Sequence, residues 1–165
     1  KEVNETVLRE IKVLCHPILE SHENIIGFLG LDFHEDYDDY NVGWPCPLME
    51  VAEFGTLDSF QYDQGQLNEL VTNSLLLDVT YGLDALHKCN IIHGDIKSEN
   101  VLICRHKDRQ YVAKLSDFGL SIINPDREGF HKLIGGTWLW EAPEFGNRMS
   151  VQGLKQTDLF SLGLL

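Results

Sequence analysis

The chain has 165 residues, the length of one ordinary domain, and its 43% apolar and 24% charged content is that of a globular protein able to bury a core. A net charge of −13 and a pI near 4.8 argue against a nucleic-acid or anionic-membrane partner, since both call for basic patches. Cys15, Cys46, Cys89 and Cys104 form no CxxC pair and no metal-ligand spacing, so they read as buried or half-buried free thiols in a reducing, intracellular and cytoplasmic setting. No secretory signal opens the chain, and no apolar run reaches the ~20 residues of a membrane span. The chain starts at Lys1 and stops within "TDLFSLGLL", an apolar pattern with no helix stop, so both ends look cut.

In chain order, Val3, Val7, Leu8, Ile11 and Leu14 fall near helical spacing and predict an amphipathic helix over 3–15. "NIIGFLGLDF" (24–33) is rich in strand formers, and "HEDYDDYN" (34–41) reads as a solvated acidic turn. A second short strand is expected at "PLMEVA" (47–52), and a helix opening near Thr56 after Gly55. Leu67, Leu70, Val71, Leu75, Leu76, Val79, Leu83 and Leu86 predict a long helix over 66–88, buried on one broad face. "VLIC" and "YVAKLSD" flank the charged turn "RHKDRQ" and read as a hairpin. The stretch 118–147, glycine-rich and aperiodic, is expected to be a long functional loop.

Chemistry concentrates in "HGDIKSENVL" (93–102). Asn100 precedes the first strand of the expected hairpin and Asp117, in "DFG", follows the second, so pairing of the strands would bring the two together. An amide oxygen beside a carboxylate suits Mg²⁺, whose other ligands would be water and phosphate oxygens. Asp95 could accept a proton from an incoming hydroxyl while Lys97 neutralises charge on a transferring phosphoryl group. Phosphoryl transfer needs that arrangement, with little covalent chemistry from the protein.

These motifs resemble those of the eukaryotic protein kinase domain. "HGDIKSEN" is similar to the catalytic loop H-R-D-x-x-x-x-N, "DFG" to the metal-binding motif, "EAPE" (141–144) to the end of the activation segment, and "TDLFSLG" to the start of the buried helix whose Asp158 anchors the catalytic loop. The resemblance implies an α+β, protein-kinase-like two-lobed fold, incomplete here, with a small-lobe remnant at 1–49, a hinge at 50–55 and the large lobe at 56–165. It implies Asp95 as catalytic base, Lys97 as phosphate-side cation, and Asn100 and Asp117 as magnesium ligands. Glu10 would pair with the phosphate-binding lysine of the small lobe. Met49 would be the gatekeeper, Glu50 to Ala52 would meet adenine through their backbone, and Leu102 would lie beneath it. Leu14, Phe28, His93 and Phe118 fit the apolar stack linking the lobes. Thr137 would hydrogen-bond near the base, and with Lys97 it marks the serine/threonine type.

The implied function is a protein serine/threonine kinase using ATP and Mg²⁺ on a protein substrate, with no nucleic acid and no membrane span. The alternative is a catalytically impaired kinase-like fragment that acts as a binding or scaffold module, and a small-molecule phosphotransferase is a third. Without the resemblance, Asn100 and Asp117 are also residues that cap turns, Glu10 could be an ordinary surface glutamate, and Met49, Leu14 and Phe28 would be core under almost any fold. Two departures stand out. No G-x-G-x-x-G loop or strand lysine precedes the helix of Glu10, as expected for an excerpt of a longer domain. Gly94 replaces the arginine that usually grips a phosphate on the activation loop, and no Ser, Thr or Tyr occurs between Ile122 and Gly136. Both departures at the loop predict an enzyme not switched by loop phosphorylation. The remaining histidines, His87 among them, lack ligand spacing and read as surface residues.

Overall fold

The computed structural model describes residues 5–33, 45–65 and 67–165. The acidic segment 34–41 lies outside them, as do Val3 and Gln66. Helix α1 spans Glu5–Leu14, with Glu5 in its first turn and Lys12 in its last, each placed to favour the helix dipole. It stops short of Pro17, which disfavours helical geometry in the residue before it. Strand β1 (Phe28–Phe33) pairs antiparallel with β2 (Pro45–Met49), and the register slips between Phe28 and Gly30. The expected strand over 24–33 is thus shorter, because Asn24 to Ile26 are bonded to the far end of the chain's second hairpin instead. Strand β2 likewise ends at Met49, before the segment 50–55.

Helix α2 (Leu57–Gln64) starts on a capping box in which Thr56 and Ser59 each bond the other's backbone N–H. Helix α3 (Glu69–Lys88) is capped by Asn68, whose side chain accepts from Leu70 N at 2.7 Å. Its buried face carries Leu75, Val79, Leu83 and Leu86, as the spacing predicts. Gly82 on that face is the point of closest approach. A Cβ there would come within 2.6 Å of the Asn24 carbonyl oxygen, which itself accepts from Leu115 N at 2.9 Å.

Strands β4 (Val101–Arg105) and β5 (Tyr111–Leu115) form the expected hairpin, in register Val101↔Leu115. Two-residue strands β3 (Ile91–Ile92) and β6 (Ile122–Ile123) pair antiparallel around it, so the stretch read as one long loop carries a strand at its start and a 3₁₀ turn at Trp138–Trp140. Helix α4 (Val151–Leu162) is capped by the Ser150 hydroxyl. It begins well before Thr157, where the sequence motif suggested a start, and it closes on Gly163, whose N–H bonds back to Leu159 and Phe160.

The main core gathers Val13, Leu14, Leu19, Ile25 and Ile26 against α3 and the β4–β5 hairpin. Each such aliphatic side chain contributes roughly 1.5–3 kcal/mol relative to exposure. A second cluster forms separately from Ile92, Leu133 and Leu154. Two of the four thiols, Cys15 and Cys46, are exposed, contrary to the sequence expectation, because Cys15 falls in the turn after α1 and Cys46 on an outward position of β2. Cys89 is half-buried and Cys104 buried, all four free. Burial pushes the Cys104 thiol up to about 11, with Glu50 adding to the effect, and raises that of Cys89. Among the described residues no helix is long and apolar enough to cross a membrane.

Candidate active site

The loop between β3 and β4 is fixed from below by one carboxylate. Asp158, on α4 and 2% exposed, accepts the backbone N–H of His93 at 3.0 Å and of Gly94 at 2.9 Å. Its Oδ2 also lies 2.8 Å from His87 Nε2. His93 is fully buried. Its Nδ1 accepts from Asp95 N at 3.3 Å, so its Nε2 carries the proton and donates to the Ser116 carbonyl at 3.1 Å. Burial pulls its pKa down, against the opposing charge of Asp158, so the ring is neutral. Its ring lies 5.3 Å from that of Phe118, centre to centre.

Gly94 has φ +82, a left-handed conformation that costs any residue with a Cβ. A Cβ at this position would also stand 3.1 Å from the Leu120 carbonyl oxygen. The glycine in "HGD" therefore suits the backbone of the loop as well as removing a side chain from it.

With the loop so held, Asp95 becomes the hub. Its Oδ1 accepts the Thr137 hydroxyl at 2.8 Å, and its Oδ2 accepts Asn100 Nδ2 and pairs with Lys97 Nζ, both at 3.1 Å. Lys97 Nζ in turn donates to Thr137 Oγ1 at 3.0 Å. Asn100 Nδ2 also donates to the Asp95 carbonyl at 2.9 Å, which leaves the amide oxygen without a partner among the described residues. Four of the residues singled out by sequence are thus joined by direct bonds.

Asp117 is set by the hairpin. The Asn100 carbonyl accepts both the N–H and the hydroxyl of Ser116 at 3.0 Å, so the residue before β4 is tied to the residue after β5. Asp117 follows immediately, with φ 59, and among the described residues receives only a long 3.4 Å bond from Gly119 N. Helix α1 sits against this turn. Arg9 donates to the Gly119 carbonyl at 3.4 Å, and a Cβ on Gly119 would meet Thr6 Cγ2 at 2.4 Å. Glu10 on the same helix is half-buried. Its pKa is raised, first by desolvation and then by the negative charge of Asp117, and no cation contacts it among the described residues.

At the other end, Met49 closes β2 opposite Phe28. The Glu50 N–H bonds to Gly27 O at 2.9 Å, while its carboxylate accepts Gly27 N at 2.7 Å and pairs with Lys114. The N–H of Ala52 is left without a partner among the described residues. Phe54 and Gly55 are strapped to Ile103 by two backbone bonds, which places the segment alongside Leu102 on β4.

Sequence reasoning missed His87. It lies on the last turn of α3 and touches its carboxylate across 71 positions, and its chain neighbours give no cue. The signal available was the motif assignment of Asp158 as an anchor, which implies donors to fill it.

The elements and the loop they frame define an α+β fold of the protein-kinase-like kind. A family model of the protein kinase domain matches residues 1–165, and the chain belongs to that family. The serine/threonine-protein kinase CLA4 of Candida albicans is 31% identical over 166 residues, covering 98% of this chain and 15% of its own length. The Aurora kinase of Saccharomyces cerevisiae is 36% identical over 145 residues, covering 88% and 36%. A receptor-like kinase of Arabidopsis thaliana, LEAF RUST 10 disease-resistance locus receptor-like protein kinase-like 2.1, is 34% identical over 152 residues, covering 88% and 22%. The chain therefore spans well under half the length of these relatives. Members of the family use ATP and Mg²⁺.

Proposed function

We propose that the chain carries the phosphotransfer centre of a protein serine/threonine kinase, with a protein hydroxyl as acceptor and ATP as donor. The observation that supports it best is the hub at Asp95, whose carboxylate is bonded by Thr137, Lys97 and Asn100 on a loop pinned by Asp158. In this reading the substrate oxygen attacks the γ-phosphorus as the bond to the β,γ-bridging oxygen breaks. The hydroxyl proton passes to Asp95, and ADP leaves. Lys97 stands beside the carboxylate to offset charge on the transferring group, and Thr137 fixes the orientation of Asp95.

Asn100 and Asp117 fit a divalent cation. The Asn100 amide nitrogen is already committed to Asp95, which leaves its oxygen without a partner among the described residues, and Asp117 has no counter-cation among them. Among the described residues no group of three or more His, Cys, Asp or Glu side chains could hold an ion by itself. The other ligands would be phosphate and water, as Mg²⁺ favours. Bound Mg²⁺ would neutralise the phosphates. Adenine would lie over Leu102, meeting the Glu50 carbonyl and the Ala52 N–H, with Met49 behind it and Glu10 reserved for a lysine. The boundaries 1–49, 50–55 and 56–165 describe the lobes on this reading, and the free thiols suit a reducing cytoplasm.

A thermal-shift titration tests it. Mg-ATP at about a hundred times its Kd should add roughly 2.7 kcal/mol to stability, a rise of about 5–10 °C for a domain of this size, while Asp117→Asn should abolish the shift. Transfer of ³²P to a serine or threonine peptide by the parent, and not by Asp95→Asn, would complete the case. A shift without transfer in the full-length protein would favour the scaffold reading.

A further inference from the structure

The activation segment must hold Thr137 against Asp95. Asp95 and Lys97 bond the Thr137 hydroxyl itself and Arg148 donates to the Phe130 carbonyl at 2.8 Å, but no phosphate can hold the stretch between. Gly94 offers no side chain to receive a phosphate, and residues 122–136 offer none to phosphorylate. Beyond β6, whose Ile122 and Ile123 are half-buried, the segment contains one inward-facing aliphatic residue. Leu133 is 8% exposed between exposed Lys132 and Ile134, and only Pro125 is otherwise buried between 122 and 136. It packs on Ile92 and Leu154, both fully buried, with Ile122, Phe145 and Met149 around them. Its Cδ2 stands 3.6 Å from where a Cβ of residue 94 would be.

We infer that Leu133 is a positioning residue, an apolar latch packed beside Gly94 that holds the activation segment over the catalytic loop without any modification. The latch sits between two backbone anchors. Upstream, His131 and Met149 exchange backbone bonds at 2.8 and 2.7 Å. Downstream, Trp140 N bonds to Thr137 O, and the Trp140 carbonyl accepts the Ser161 hydroxyl at 2.6 Å. Between them Gly135 and Gly136 add no side-chain packing of their own, and Leu120 lies over Gly135. Leu133 is therefore the apolar contact that carries the segment from the first anchor toward Thr137. A Cβ at 94 would already touch Leu133 Cδ2 at van der Waals distance, so the leucine packs directly against the glycine turn.

The geometry stands apart from the kinase reading, and its consequence for rate rests on that reading. Hydrogen exchange on the full-length protein separates them. Leu133→Ala should speed amide exchange through 131–140 by about tenfold or more, because a buried leucine cut to alanine loses packing worth more than a decade in a local equilibrium. Amides of α3 should be unchanged, and Leu133→Met should restore protection. In a peptide-phosphorylation assay, Leu133→Ala should lower kcat and leave KM for ATP where it was. Unchanged exchange at 131–140, or equal acceleration in α3, would overturn the latch. The expected exchange pattern in a protein that transfers no phosphate would uphold the latch and overturn the kinase reading.

Discussion

Asp158 Oδ1 lies 2.9 Å from the backbone nitrogen of Gly94, and its Oδ2 takes the neighbouring nitrogen of His93 at 3.0 Å. One side chain on α4 thus satisfies two backbone donors of the loop that presents Asp95. Replacing it with asparagine keeps the shape but turns an acceptor into a donor facing an N–H. One buried donor is then unmatched, at a cost of about 1–3 kcal/mol. Urea denaturation of Asp158→Asn should show that loss. Phosphotransfer should fall further than the lost stability accounts for, because Asp95 moves with its loop. A variant as stable and active as the parent would show that the loop is held by other contacts.

Gly94 links two consequences. With φ +82 and a carbonyl 3.1 Å from any Cβ, Gly94→Ala should cost about 1–2 kcal/mol of stability, measured by urea denaturation.

Loop phosphorylation is the second. Ser121 is the nearest hydroxyl before the segment 122–136, and it is 1% exposed and donates to the His93 carbonyl at 3.1 Å. A phosphate there would bury charge and break that bond. Phosphatase treatment should leave activity unchanged, and Ser121→Glu should lower it. Activation by Ser121→Glu would contradict the reading of an enzyme not switched at its loop.

The parts of the site that are close in sequence were legible from it. Asp95, Lys97 and Asn100 lie within six positions, and the proposed chemistry calls for those residue types at those offsets, so the spacing and the kinase-like motif signal them together. Asp117 was legible because two strand-like runs, "VLIC" and "YVAKLSD", flank a charged turn, and a hairpin brings its outer ends, with Asn100 and Asp117, together. The start of α4 was not, since Gln152, Gly153, Lys155 and Gln156 interrupt its apolar face and the Ser150 cap stands before a stretch with little periodicity. The β3–β6 pair is two residues long, too short for any pattern. His87 and Leu133 were missed for the same reason. Each takes its meaning from a partner far along the chain, Asp158 for the first and Gly94 for the second, and neither pairing leaves a local trace.

Close approach at Gly82 predicts a third effect. A methyl group there would meet the Asn24 carbonyl at 2.6 Å and Leu115 Cδ1 at 3.2 Å, and the carbonyl is already bound to Leu115 N. Neither can retreat without breaking the contact between α3 and β5. Although alanine favours helix, Gly82→Ala should lower stability by about 1–3 kcal/mol by overpacking. A gain in Tm would mean that α3 can shift away from the hairpin at little cost.

Two groups, one fully buried and one half-buried, give the chain opposite pH responses. Burial holds His93 neutral in the folded state, below its ordinary value of 6.5. Above pH 6.5 both states are neutral and the folded state keeps its full stability. Below it the unfolded chain takes up a proton that the folded one refuses, so stability falls by up to about 1.4 kcal/mol per pH unit. Glu10 works the other way. Its folded-state pKa is raised above 4.5 by desolvation and by Asp117, so the folded chain favours the protonated form. From 4.5 upward the folded state holds more proton than the unfolded, and stability is lost as the carboxylate ionises. Glu10→Gln should therefore raise Tm at pH 7.5 and lose that advantage as pH falls toward 4.5. Thermal melts of parent and variant across that range read both effects. An advantage for the variant that persisted at pH 4.5 would show that ionisation of Glu10 is not its source.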